Sequence, residues 1–184
     1  MSDINPWSKI SKKLIYDNPW ISLEEHQVLN PAGKPGIYGV IHFKNIAIGI
    51  ITLDDELQIT LVGQYRFALN AYSWEIPEGG GPFNEDPLDA AKRELLEETG
   101  LVASSWTQII QMHLSNSVSD ELAIIYLARD LSQHEAQPEE TEELIVKKVH
   151  LDEAMRMVIS GEITDSMSVA AIFRLTLLYK ANEL

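Results

Sequence analysis

Three glutamates, Glu94, Glu97 and Glu98, stand at positions i, i+3 and i+4 of the run AAKRELLEETG. On a helix that spacing projects all three from one face. Carboxylates gathered so closely repel one another unless a cation sits among them. A hard divalent ion with oxygen ligands, Mg²⁺ above all, is the natural counter-charge, with Mn²⁺ as the alternative. Arg93 precedes Glu97 by four residues and can pair with it. Glu85 stands before the helix, and six positions ahead of it Gly79 opens a run of three glycines that lets the backbone turn tightly and approach a ligand. The plainer reading of the same residues is a solvated acidic face carrying Asp89–Arg93–Glu97 ion pairs.

The elements that must hold these side chains are legible in part. Asp86 suits a helix cap, Pro87 the first helical position and Gly100 a left-handed stop, which predicts a helix over 86–99. Leu88, Ala91 and Leu95 form its buried stripe. Residues 13–30 read as extended segments broken at Asn18-Pro19, and 31–36 as a turn. Strands are expected over 38–44 and 46–53, then a hairpin turn at 54–56 leading into a strand over 57–65. Residues 66–73 read as a loop, and Trp74 starts a short strand that Pro77 and the glycines end. Further strands are expected over 106–114, 121–128 and 144–150, with an acidic loop over 132–143. Helices are expected over 151–160 and 166–181, the second turning Val169, Ile172, Phe173 and Leu177 inward. The pattern is a mixed α/β chain with mostly antiparallel strands.

Bulk properties narrow the function. The chain has 184 residues, 45% of them hydrophobic, enough to bury a sizeable core. It has no cysteine, which removes disulfides and thiolate chemistry and leaves a zinc site only histidine and carboxylate to use. The five histidines lie far apart in sequence and show no metal-ligand spacing, so each reads as a satisfied or surface side chain. A net charge of −14 argues against gripping a nucleic-acid backbone. There is no signal-peptide pattern and no apolar stretch near the roughly 20 residues that span a bilayer, so a cytoplasmic protein is expected.

Residues 79–101 resemble the Nudix box: Gly, five residues, Glu, seven residues, Arg-Glu, an aliphatic, any residue, Glu-Glu, any residue, Gly, an aliphatic. The chain supplies Gly79, Glu85, Arg93, Glu94, Leu95, Glu97, Glu98, Gly100 and Leu101 without departure. Seven fixed residues at about 7% usage each match a given position by chance roughly once in 10⁸. The resemblance implies an α/β/α sandwich with a mixed sheet, preceded by a small antiparallel β domain. It implies that Glu94, Glu97 and Glu98 bind catalytic metal, with Glu98 bridging, and that the backbone carbonyl of Glu78 joins them. Arg93 would orient these carboxylates, and Glu85 would be an outer partner.

The flanks resemble the branch that hydrolyses ADP-ribose and nucleotide sugars to a nucleoside monophosphate and a sugar 1-phosphate. Gln64-Tyr65-Arg66 and Trp74-Glu75-Ile76-Pro77 carry that likeness, which implies that Arg66 contacts the substrate diphosphate and makes Glu75 a second substrate-site candidate. The branch also implies division into an N-terminal β domain, residues 1–45, in a homodimer interface, and a hydrolase domain, residues 46–184. Trp20 is then the candidate for stacking on the base, and Glu121 in Ser119-Asp120-Glu121 is a substrate- or metal-site candidate. The run 139–143 falls where relatives carry a catalytic base, which favours Glu140, with Glu142 second. ADP-ribose-specific members carry Ser-Pro-Gly where this chain has Ser115-Asn116-Ser117. That departure points to a broader nucleoside diphosphate sugar hydrolase, for ADP-ribose, GDP-mannose or similar compounds. A dinucleotide or coenzyme A hydrolase and a non-catalytic regulatory module are the other readings the box allows.

Overall fold

A computed structural model describes residues 4–136 and 144–184. The chain forms two compact units, Met1–Asn45 with His113–Glu121, and Ile46–Met112 with Leu122–Leu184.

In the first unit, strands β1 (Ser8–Asp17), β2 (Ile21–Leu29) and β3 (Pro35–Phe43) form an antiparallel sheet in that order. The break at Asn18-Pro19 is an Asx turn: the Asn18 carboxamide accepts the backbone N–H groups of Trp20 and Ile21 at 2.9 and 2.7 Å. The second turn repeats the device at Asn30, with Gly33 at φ 74° in the left-handed region. The segment after His113 lies along β3, with Ile41 donating to the carbonyl of Val118 at 2.8 Å. The pairing Ser22↔His42, Glu24↔Val40, His26↔Tyr38 puts Glu24, His26 and His42 on one face. The histidines that look isolated in sequence are therefore not all isolated in space.

The second unit contains two sheets. One has the order β10-β5-β6 and the other β7-β4-β9-β8. Its strands are β4 (Asn45–Thr52), β5 (Gln58–Arg66), β6 (Ala71–Glu75), β7 (Glu78–Pro82), β8 (Leu101–His113), β9 (Leu122–Gln133) and β10 (Ile145–His150). Its helices are α1 (Pro87–Thr99), α2 (Leu151–Ser160) and α3 (Ser166–Ala181). Strands β4 and β9 run parallel, from Ala47↔Ala123 to Thr52↔Ala128, and are buried on both faces. On one face Ile48, Ile50, Ile124 and Tyr126 meet Ala90, Ala91 and Leu95 of α1. Each fully buried aliphatic of this kind contributes about 1.5–3 kcal/mol.

Four expectations are corrected here. The turn at 54–56 exists, held by Asp54 Oδ1 accepting from Glu56 and Gln58, but it is not a hairpin: it joins strands of different sheets. The hairpin is instead β5–β6, turning at Asn70 with φ 51°, so the strand begins at Ala71 rather than Trp74. The glycine run does not end a strand but is one, β7. On α3 the inward face is Met167, Ala171, Ile172, Leu175 and Leu178, while Phe173 and Leu177 are exposed. Ile172 alone of the expected apolar face is fully buried.

Candidate active site

Helix α1 begins as its residues dictate. The Asp86 carboxylate accepts the Leu88 N–H at 2.8 Å, Pro87 has no N–H to be satisfied, and Gly100 closes the helix at φ 70°. Burying Ala91 and Leu95 against the sheet leaves Glu94, Glu97 and Glu98 facing β7 and its surroundings.

Arg93 gathers three of the acidic groups. Its NH1 donates to Glu94 at 2.7 Å and Glu97 at 3.1 Å, and its NH2 to Glu85 at 3.0 Å and to the Gly80 carbonyl at 3.1 Å. The bond to Glu85, helped by those to Glu94 and Glu97, holds the guanidinium charge above arginine's ordinary pKa. The expected pairing with Glu97 is present, but Asp89 pairs with Lys92 rather than Arg93. Glu98 is anchored separately: it is buried, and its Oε2 accepts the Glu78 backbone N–H at 3.0 Å. The helix thus offers its carboxylates on two fixed supports, one a guanidinium and the other a strand backbone.

Gly79 explains how β7 lies so close. A Cβ at this position would collide with the Glu94 carboxylate, and one at Gly81 would stand 3.0 Å from Ile48 Cγ1 and 3.2 Å from Ala90 Cβ. The glycines serve close approach, and neither has a positive φ.

Arg66 ends β5 beside this cluster. It forks onto the buried Glu75, with Nε at 3.0 Å from both oxygens and NH2 at 2.5 Å from Oε2, and also donates to Glu78 at 2.7 Å. Partial burial opposes its charge, but the bond to Glu75 and the charges of Glu78 and Glu75 outweigh this and raise its pKa. Glu78 is buried beside these groups. Burial, together with the charges of Asp165, Glu75 and Glu98, raises its pKa well above the ordinary value against the pull of Arg66. Its second oxygen is buried and has no hydrogen-bond partner among the described residues. An all-oxygen donor set beside an orphaned, buried carboxylate oxygen is what a hard divalent cation fits. Glu94, Glu97, Glu98 and the carbonyl of Glu78 would hold it.

Two contributors lay outside the sequence reading. Ser168 Oγ accepts the Ile76 N–H at 2.9 Å and fixes the segment between β6 and β7. Asp165 caps α3 by accepting the Ser168 N–H at 2.7 Å and adds its charge to Glu78 and Arg66. A capping aspartate is visible in sequence, but its nearness to a strand 90 residues away is not.

Trp20 and Glu121 belong to the first unit. Trp20 is 65% exposed at the β1–β2 turn, so it is not core. Glu121 is half-buried, and burial, then the charge of Asp120, raises its pKa. Glu140 and Glu142 lie outside the described residues.

Comparison with known proteins gives the family. Residues 43–165 match the NUDIX domain, and residues 7–41 match the nucleoside diphosphate sugar hydrolase N-terminal domain. The chain is 33% identical to an ADP-ribose pyrophosphatase of Mycobacterium tuberculosis (strain ATCC 25618 / H37Rv), over 89% of this chain and 80% of that one. It is 34% identical to an ADP-ribose pyrophosphatase of Bacillus subtilis (strain 168), over 89% of each. A crystal structure of an ADP compounds hydrolase superposes over the full length of both chains with a TM-score of 0.87 at 19% identity, which shows a shared fold. With an uninterrupted box over residues 79–101, a match over two thirds of its length and relatives of this similarity, the chain belongs to the Nudix family.

Proposed function

We propose that the protein is a Mg²⁺-dependent hydrolase that cuts the diphosphate of nucleoside diphosphate sugars, giving a nucleoside monophosphate and a sugar 1-phosphate. The observation that carries this reading is the pair of supports under the box carboxylates, Arg93 on Glu94 and Glu97 and the Glu78 N–H on Glu98. A helix face that were merely solvated would not need a buried glutamate tied to a neighbouring strand. The two relatives named for ADP-ribose hydrolysis, matched over 89% of this chain, and the N-terminal domain match favour nucleotide sugars over other diphosphates.

Each residue then has a task. Glu94, Glu97 and Glu98 would hold a divalent ion, which would supply charge neutralisation for the diphosphate and a lowered pKa for attacking water. Arg93 holds Glu94 and Glu97 in position, so these carboxylates need little rearrangement when substrate arrives. Arg66, fixed by Glu75 and Glu78, presents its guanidinium to a substrate phosphate, a geometry arginine serves better than lysine. Trp20 stacks on the base and Glu121 contributes to the substrate or metal site. Glu140 removes the proton of the attacking water, with Glu142 as the second candidate. The absence of proline at Ser115-Asn116-Ser117 favours several nucleotide sugars over ADP-ribose alone.

The reading includes a cytoplasmic homodimer. In the first unit Leu14 and Ile37 are each more than half exposed, on opposite faces of the sheet by register, and a second copy would cover apolar side chains of this kind. Among the described residues no helix is long and apolar enough to cross a membrane.

The test is a panel of nucleotide sugars, dinucleotides and coenzyme A incubated with Mg²⁺, with products identified by mass. Release of a nucleoside monophosphate and a sugar 1-phosphate is expected. Cleavage confined to dinucleotides or coenzyme A would overturn the substrate class, and no cleavage of any diphosphate would overturn the enzyme.

A further inference from the structure

The first unit carries a second cluster of ligand-type side chains, chemically unlike the box. Glu24 and His26 alternate on β2, and His42 lies on the paired strand β3. Glu24 Oε2 is 3.3 Å from His26 Nε2 and 3.5 Å from His42 Nε2. The three ligand atoms all lie within 4.8 Å of one another.

His26 is the residue that demands an explanation. Its ring is 5% exposed, and neither nitrogen has a hydrogen-bond partner among the described residues. Nε2 faces the Glu24 oxygen without hydrogen-bond alignment. A buried, unsatisfied polar ring is costly, and native structures seldom keep one without an ion or water to satisfy it.

His42 is already arranged as a ligand. Its Nδ1 is 2.5 Å from Asp120 Oδ2, and Asp120 is itself fixed by the Phe43 N–H at 3.0 Å. Donation from Nδ1 to Asp120 leaves the Nε2 lone pair turned toward Glu24 and His26. Carboxylate–histidine pairs of this type orient imidazoles on metals. Glu24 is steadied from its other side, where Oε1 accepts from Lys12 at 2.7 Å, so Oε2 remains directed at the histidines.

The two separations from Glu24 match a metal's coordination shell. Ligands about 2.0–2.1 Å from a tetrahedral Zn²⁺ stand roughly 3.3 Å apart, against the two observed separations of 3.3 and 3.5 Å. We propose that Glu24, His26 and His42 form a binding site for a borderline divalent ion of the Zn²⁺ type, with Asp120 positioning His42. Two imidazoles and one carboxylate suit Zn²⁺ or Co²⁺, whereas the oxygen-only box suits Mg²⁺. Three protein ligands leave a fourth position for water or a small anion. The site would tie the segment His113–Glu121 to the β2–β3 pair through Asp120, and it does not depend on the substrate reading above.

The experiment uses the full chain, stripped of metal by chelation and dialysis, then held in excess Mg²⁺ so that the box carboxylates are saturated. Co²⁺ is titrated while the visible absorption bands are followed, and Zn²⁺ retained after dialysis is counted by elemental analysis. About one equivalent of either ion is expected per chain, with a nitrogen-ligated Co²⁺ spectrum. His42→Gln and Glu24→Gln should each remove this binding, and Asp120→Asn should weaken it by about 10- to 100-fold. His26→Gln belongs to the series, but burial makes its folding vulnerable, so the more exposed His42 carries the decision. Absence of the Co²⁺ bands from the wild-type chain would overturn the proposal, as would retention unchanged in a folded His42→Gln variant.

Discussion

Replacing Gly79 by alanine separates the geometry of the site from the stability of the fold. The added methyl group would lie well inside van der Waals contact of all three carboxylate atoms of Glu94. Ordinary contact is about 3.5–4 Å, so the carboxylate has to withdraw by roughly an ångström. Glu94 is nearly buried, with the Arg93 guanidinium 2.7 Å from its Oε1, so withdrawal also disturbs the group that holds Glu97. A misplacement of about 1 Å in a positioned catalytic group costs on the order of 10² in rate, or about 2.7 kcal/mol of transition-state stabilisation. The fold should suffer less, because the atoms displaced are the end of a side chain. A cost near 1 kcal/mol, partly offset by the loss of unfolded-state freedom, lowers Tm by about 2–4 °C for a chain of this size.

Gly81→Ala is the internal control. Its methyl group meets Ile48 Cγ1 at 3.0 Å and Ala90 Cβ at 3.2 Å, both in the core between sheet and helix. This change should lower Tm further, by a cost of about 1–3 kcal/mol, while the folded fraction keeps most of its turnover. The assay is kcat and KM with a nucleotide sugar at saturating Mg²⁺, alongside thermal unfolding of both variants. Turnover within twofold of wild type for Gly79→Ala would refute the claim that Gly79 exists to admit Glu94. Equal turnover losses in the two variants would show that the strand matters as a whole rather than at that contact.

Glu98→Gln should remove most activity, because an amide cannot replace the charge of a metal-binding carboxylate; near-normal turnover at saturating Mg²⁺ would refute the assignment. Arg93→Lys should lower kcat by at least tenfold with a small change in Tm, since a point charge cannot reach Glu85, Glu94 and Glu97 together, and wild-type kinetics would show that the fork is not needed. Glu140→Gln should slow turnover with KM nearly unchanged, and the same behaviour in Glu142→Gln instead moves the base by two residues. Light scattering at micromolar concentration should give twice the chain mass of 20.7 kDa, and a monomer would refute the dimer.

Local chemistry decided which parts of the structure were legible in the sequence. Helix α1 could be placed to the residue because its cap, its proline and its terminal glycine act within one turn. Arg93 and Glu97 could be paired because a helix sets their spacing. Strand β7 could not be read, because a Gly-Gly-Gly-Pro run carries turn propensity and what makes it a strand is the neighbouring sheet and helix. The face of α3 was misjudged for a related reason. Phe173 and Leu177 are as apolar as the residues that are buried, and only packing against other elements selects among them.

The same distinction separates the box from the cluster proposed in the first unit. Most of the charged residues of the box are written along one helix, so four of them fall within six positions, from Arg93 to Glu98. The cluster at Glu24, His26, His42 and Asp120 spans nearly 100 residues, its three ligands set by the β2–β3 register and Asp120 by its hydrogen bonds to His42 and Phe43. Spacing along the chain therefore carries no trace of it, and the inference from widely separated histidines to isolated ones fails. A one-residue slip between β2 and β3 would turn His42 to the opposite face and leave Glu24 and His26 with no third ligand. The register that buries Val28 is then the same register that assembles the three ligands, and only Asp120 has to come from outside the sheet.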